Sequence, residues 1–350
     1  MTDNAFKKSA RQHQKATGES YTRARRHVDK RTSDEDSSTA ALLAALGITD
    51  TRHIDPAALW APRQRPAGEP AGTDQLLTVP IGLSDDGTPL WLDLKDAAEG
   101  GSGPHNLVSG STGSGKKTLL RALVFGLLVR HSPDVVQVIL GDPKGEGGWA
   151  EFAAYPHTAA IFDDNDALVD HVLDLIDQRG RTLRDAGVEL RGKGFDTIAQ
   201  YNTARQTPAG KDLPPLPTVF VVVDELASAS HHSAEYVAAA FGLLLRKGRS
   251  LGLYAMLATQ TVAAKHVKPQ IMDCISQWIA LRVTHRDEAD ILWPGLDAAA
   301  HIPDDRDGKG TGFVATAPGA DAIRFRSFRV PDSLVRTVGR QLATVTSAES

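Results

Sequence analysis

Residues Val108 to Arg121 read VSGSTGSGKKTLLR. Glycines at 110, 113 and 115 let a chain curl with its amides turned inward, and a lysine where such a turn enters a helix adds a point charge. That is the chemistry of a phosphate-binding loop, G-x-x-x-x-G-K-[ST], in which backbone N–H groups, the lysine and the helix dipole hold the β and γ phosphates of a nucleotide. Gly110, Ser111, Thr112, Gly113, Ser114, Gly115, Lys116, Lys117 and Thr118 are therefore the expected nucleotide contacts, with ATP and Mg²⁺ as cofactors. One position departs from the pattern. The residue after Lys116 should be a small hydroxyl that ligates Mg²⁺, and it is Lys117. Thr118 cannot stand in for it, because one helical step turns a side chain by roughly 100°. Lys117 is expected to swing into solvent or lie along the phosphates, leaving nucleotide binding more intact than hydrolysis.

Further along, VFVVVDEL (Val219 to Leu226) sets an apolar run before two carboxylates. In combination with a phosphate loop this is a Walker B pattern. Asp224, at the end of a strand, would hold Mg²⁺ through water, and Glu225 would orient and deprotonate the water that attacks the γ phosphate. Gln260, at the polar exit of the YAMLAT run, would lie beside the same phosphates, where its amide senses the γ group or positions water. The expected activity is an ATPase, active but slowed by Lys117.

These groups need a scaffold that brings loop and carboxylates to one edge. Apolar runs at VVQVILG (135–141), TAAIF (158–162), TVFVVVD (218–224), YAMLAT (254–259) and WIALRV (278–283) are continuous rather than alternating, as in strands covered on both faces. Helical periodicity between them, as in Leu168, Val169, Val172, Leu173 and Ile176, predicts an α/β fold with a mostly parallel sheet. Leu120, Leu123, Val124, Leu127 and Leu128 form the stripe that anchors the helix after the loop. LTVPIGLSDDGTPLWLDL, ahead of the loop, predicts a hairpin turning at Asp85-Asp86-Gly87. Gly187 to Pro217 reads as a surface excursion.

With 350 residues and 41% hydrophobic content the chain can bury a large α/β core, and its net charge of −4 supplies no global attraction for polyanions. The lone Cys274 excludes an internal disulfide and a multi-cysteine zinc site. No apolar stretch is long enough for a membrane span, so a cytoplasmic chain is expected. Residues 1–31 form a basic helical segment, with Lys7, Lys8, Arg11, Lys15, Arg23, Arg25, Arg26, Lys30 and Arg31. Residues 32–76 read as a linker with short helices, including TSDEDSS and the Pro- and Gly-rich stretch from Pro62 to Gly72. The ATPase domain is expected at 77–335 and a C-terminal tail at 336–350.

The chain resembles the FtsK/SpoIIIE family of motor ATPases, which includes EccC-type ATPases of type VII secretion and plasmid-transfer translocases. The matching stretches are VPIGLSDDGTPLWLDL, GSTGSGKKT, DPKG at Asp142 to Gly145, PHTAAI at Pro156 to Ile161, VVVDEL, RKGRSLGLYAMLATQ from Arg246 to Gln260, IALRV, and GKGTGFV near the end. The resemblance implies a RecA-like P-loop fold, self-association into a ring that is a hexamer in many members, and ATP hydrolysis at subunit boundaries. It also implies that Arg249 reaches a neighbouring subunit's γ phosphate. Lys265, His266 and Lys268, which follow the ATQ strand, read as an exposed basic loop, with contact to cargo in a ring channel as the alternative. A single motor domain with a basic head fits a translocase of duplex DNA, partnered with DNA and with a membrane-anchored protein. The alternatives are an EccC-like ATPase acting on protein substrates and a nucleotide-binding subunit with little turnover.

Overall fold

In the computed structural model of the chain, residues 3–18, 20–60, 75–143, 145, 147–226, 231–262, 267–282, 291, 308–315 and 321–346 are described. Among these residues, ten strands form one sheet: β1 (Thr78–Ser84), β2 (Pro89–Asp93), β3 (His105–Ser109), β4 (Val136–Gly141), β5 (Thr158–Phe162), β6 (Thr218–Val223), β7 (Leu253–Thr259), β8 (Gln277–Leu281), β9 (Thr311–Ala315) and β10 (Ile323–Ser327). Their order is β2-β1-β10-β9-β8-β3-β7-β6-β4-β5. From β8 to β5 every pairing is parallel; from β8 to β2 every pairing is antiparallel.

The continuous apolar runs follow from this arrangement, because successive side chains of a strand face opposite ways. Leu107, Ile139, Val221, Ala255 and Leu257 join one core with α5 (Asn165–Arg191) and α7 (Ala234–Leu251). Val108, Val138, Leu140, Val222 and Met256 join a second core with α4 (Lys116–Arg130). Asp164 caps α5 by accepting from the amides of Asp166 and Ala167, and Leu168, Val169, Val172 and Ile176 are its buried stripe.

Helix α4 is more enclosed than a single stripe predicts. Leu119, Ala122, Phe125 and Val129 are as inaccessible as the expected positions. An all-round apolar helix is stable only when covered on every side, and α2 (Tyr21–Leu46), α3 (Pro56–Trp60) and α9 (Asp332–Thr346) supply the cover through Leu42, Leu46, Trp60, Val335, Val338 and Leu342. Two expected boundaries therefore fall inside helices. Thr32 to Ser38 is not a linker but part of α2, where Thr39 donates to the Arg329 carbonyl at 3.2 Å and the Ser38 hydroxyl accepts from the Arg329 amide at 3.1 Å. The tail expected from residue 336 is the body of α9, with Val338 and Leu342 wholly buried.

The stretch from Gly187 to Pro217 is likewise not only surface. α5 runs on to Arg191, and α6 (Ile198–Arg205) brings Tyr201 into the core beside Phe195. Helix α1 (Asp3–Thr17) packs on α2 and leaves Lys7, Lys8, Arg11 and Lys15 exposed. The side chains of Arg23, Arg25, Arg26, Lys30 and Arg31, and the Pro62 to Gly72 stretch, lie outside the described residues. Among the described residues no helix is long and apolar enough to cross a membrane.

Candidate nucleotide site

Parallel strands end at a common edge, and β3 runs there directly into the glycine-rich loop. Gly113 and Gly115 take φ of 77° and 114°, values open to glycine and strained for other residues. The loop is tied down on both sides. Gly110 donates its amide to the Thr259 carbonyl at 3.2 Å, Ser111 to the Arg282 carbonyl at 2.6 Å, and the Ser114 carbonyl accepts from the Gly310 amide at 2.8 Å. A Cβ on Gly115 would lie 3.0 Å from the Gly310 backbone, so the two chains touch through bare glycines. Lys116, 9% exposed, folds its ammonium over the turn to the Gly110 carbonyl and to the Ser111 carbonyl at 3.4 Å. The buried Ser114 hydroxyl has no hydrogen-bond partner among the described residues. An amide-lined turn, a lysine over its mouth and an unsatisfied hydroxyl fit a phosphate chain. Thr118 is half-buried in the first turn of α4.

Lys117 neither swings outward nor lies along the loop. Gly141 of β4 pairs with Val223 of β6, so the residues that follow, Asp142 and Asp224, emerge side by side. The Lys117 ammonium sits between them, 3.4 Å from Asp142 Oδ2 and 3.3 Å from Asp224 Oδ2. Its stem runs past Gly148, where a Cβ would stand 2.2 Å from Lys117 Cε, and the Gly148 amide donates to Asp142 Oδ2 at 3.0 Å. Burial pushes the Asp224 carboxyl above the ordinary carboxylate range; the charge and hydrogen bond of Lys117 offset part of that rise, and neighbouring Asp142 adds to it. Asp224, expected to hold Mg²⁺ through water, thus faces an ammonium. With the hydroxyl ligand replaced by Lys117 and both carboxylates ion-paired, this donor set does not fit a Mg²⁺ ion.

Glu225 and Gln260 do meet the loop. Glu225 is 5% exposed and its Oε1 accepts from the Gln260 amide at 3.3 Å, while the Gln260 Oε1 accepts from the Thr112 hydroxyl at 2.9 Å. The two parallel strands carrying these residues, β6 and β7, are direct neighbours. Arg249 does not join them. It ends α7 before β7 begins, whereas Gln260 follows the end of that seven-residue strand, roughly 20 Å away along it. There it makes a bidentate pair with Asp96, at 2.7 Å from Nε to Oδ2 and 2.7 Å from Nη2 to Oδ1. The hydrogen bond from Arg249 holds the Asp96 carboxyl below its ordinary range and raises the guanidinium in return. Lys265 and His266 lie outside the described residues; Lys268, just ahead of the short α8 (Pro269–Met272), pairs with Glu235 at 3.7 Å.

Sequence reasoning gave Asp142 no role, although the DPKG stretch was visible. Its position at the end of an apolar run, one residue past the strand as Asp224 is, was the available signal.

The sequence profile of the FtsK/SpoIIIE family matches residues 68–264. The ESX-3 secretion system protein EccC3 of Mycobacterium tuberculosis is 38% identical over 295 residues, covering 82% of this chain and 21% of that protein. The ESX secretion system protein EccC of Thermomonospora curvata is 34% identical over 306 residues, covering 86% and 22%. The chain therefore spans about a fifth of the length of these relatives. The solved cytoplasmic domain of the Thermomonospora curvata type VII secretion ATPase EccC superposes with a TM-score of 0.69 at 33% identity, over 86% of this chain and 34% of that one. A conjugation coupling protein, TcpA of pCW3 with ATPγS, shares the fold at a TM-score of 0.59 and 21% identity, over 85% and 77%.

Proposed function

The chain belongs to the FtsK/SpoIIIE family, and on that premise we propose that it is an EccC-type ATPase module serving type VII export of proteins rather than a translocase of DNA. The observation that carries the reading is the 38% identity, over 82% of the chain, to a relative named as a secretion protein. The DNA reading rests on the broader family and on the exposed basic face of α1.

Bound ATP would supply a γ-phosphoryl group for transfer to water. Lys116 and the amides of Gly113 and Gly115 hold the phosphate chain, using the helix dipole of α4 and the fixed charge of the lysine. Glu225, enclosed beside the loop, takes the proton from an attacking water. Gln260, bonded to both Glu225 and Thr112, keeps that base and the loop in register. Ring assembly and a membrane-anchored partner belong to the same proposal, as does Arg249 serving a neighbouring subunit, which requires its Asp96 pair to open.

The test compares nucleotide turnover by the purified chain alone, with duplex DNA at low salt, and with a signal sequence peptide of a type VII substrate. Duplex DNA is expected to leave the rate unchanged. A salt-sensitive stimulation by DNA, of the kind phosphate contacts produce, overturns the export reading in favour of DNA transport.

A further inference from the structure

We propose that Lys117 is a tethered replacement for the divalent cation of a phosphate-binding loop, so that this site takes a nucleoside triphosphate in its metal-free form. The proposal rests on the reading of the 110–118 loop as a nucleotide site and concerns what neutralises the phosphates there.

Three observations point the same way. First, the position: Lys117 occupies the place in the first turn of α4 where the motif's hydroxyl would meet the metal. Second, the partners: its ammonium is held at 3.3 and 3.4 Å by the carboxylates of Asp224 and Asp142, which close the ends of two adjacent parallel strands. In a metal-using site Asp224 is the residue that carries the ion's water shell. Third, the path is built rather than incidental. The stem of Lys117 passes over Gly148, where a side chain would push Cε off this path, and the Gly148 amide donates to the same Asp142 oxygen that faces the ammonium.

The electrostatics then run opposite to those of an ordinary loop. In such a loop Mg²⁺ bridges the phosphate oxygens and neutralises charge, and nucleotide is held as the metal complex. Here Lys116 lies over the loop, and the Lys117 ammonium, held between Asp224 and Asp142, fills the place beside it that the ion would take. A divalent ion brought in with the nucleotide has to displace the Lys117 ammonium from Asp224 or lie against it, and like charges at such a distance repel. Chelating Mg²⁺ should therefore leave affinity unchanged or improve it.

The experiment measures binding of a fluorescent ATP analogue to the purified chain in excess EDTA and in excess Mg²⁺, and repeats both with Lys117→Ser. The parent is expected to bind in EDTA at least as tightly as in Mg²⁺. Lys117→Ser, which restores the hydroxyl and removes the ammonium, is expected to bind at least about tenfold more weakly in EDTA than in Mg²⁺. The parent comparison stands alone should the variant not fold: a parent that loses about tenfold or more in EDTA overturns the proposal. A parent that binds in neither condition while Lys117→Ser binds with Mg²⁺ overturns it too, making Lys117 a plug instead. If neither protein binds nucleotide in any condition, the nucleotide-site reading itself falls, and this proposal with it.

Discussion

Replacing Lys117 by methionine keeps an unbranched side chain one atom shorter and removes its charge. In the parent, the ammonium attracts each of two buried or nearly buried carboxylates at 3.3 and 3.4 Å. With an effective dielectric of about 20, each contact is worth ~5 kcal/mol before desolvation is counted. Breaking a buried pair by removing one partner leaves an uncompensated charge and costs about 3–5 kcal/mol. Because the Lys117 side chain is 28% exposed, the lower end, about 3 kcal/mol, is expected. The loss has a defined pH dependence. Burial already holds the Asp224 carboxyl above its ordinary value of 3.8, with Lys117 opposing that rise, so removing Lys117 moves it higher still. Below the ordinary carboxylate range Asp224 is protonated in folded and unfolded chains alike, and parent and variant should then be equally stable. As pH rises through the folded value, the variant falls behind. Urea unfolding of both proteins across this range, followed by circular dichroism, measures the difference, with Lys117→Arg as a charge-keeping control. A loss of the same size at every pH would mean that Lys117 contributes packing alone, and no loss at neutral pH would refute the electrostatic argument.

Glu225→Gln should lower ATP turnover by about 10²-fold or more while nucleotide affinity holds; turnover equal to the parent's would remove Glu225 from its assigned role. If Arg249 serves a neighbouring subunit, Arg249→Ala lowers turnover by about 10³-fold whereas Asp96→Ala, which frees the arginine, does not; small and equal effects of the two would identify the pair as a structural clamp. Burial depresses His105 and His157 from 6.5 to about 4, so both stay neutral in the fold while the unfolded chain protonates them. Stability is therefore complete above pH 6.5 and lost as pH falls toward 4, by ~3 kcal/mol for each. His157→Gln should flatten that slope, and an unchanged slope in urea titrations would count against it.

The loop and the carboxylates of the site were legible because their chemistry depends on local spacing. A glycine turn between strand and helix, and an acidic pair ending an apolar run, carry the same meaning wherever the chain puts them. The destination of Lys117 was not legible, because it depends on β4 and β6 being adjacent and in register, which pairs Gly141 with Val223 and sets Asp142 against Asp224. Nor does the sequence show the reach of Arg249 to Asp96, 153 residues earlier in the chain. In the fold, continuous apolar runs announced the strands with two covered faces, whereas β10 sends only Phe325 and Ser327 inward and its signal is too short. Thr32 to Ser38 looks like a linker by composition; the buried Leu42 and Leu46 that follow, and the bonds of Ser38 and Thr39 to Arg329, extend the helix through it.

The contact between Gly115 and Gly310 joins two points far apart in the chain. Gly310 also accepts from the Ser327 amide at 2.8 Å, so one residue links the phosphate loop to the antiparallel flank formed by β9 and β10. A methyl group on Gly115 would close the gap, whereas one on Gly310 would meet only the Ser327 Cβ, at 3.7 Å. Both hold positive φ, 114° and 82°, so Gly310 is fixed by its backbone conformation and Gly115 by that and by the approach of the other segment. Drift in this part of the protein should proceed around the pair rather than through it. A displacement of the antiparallel flank would also reach the glycine-rich turn through the backbone bonds of Gly310.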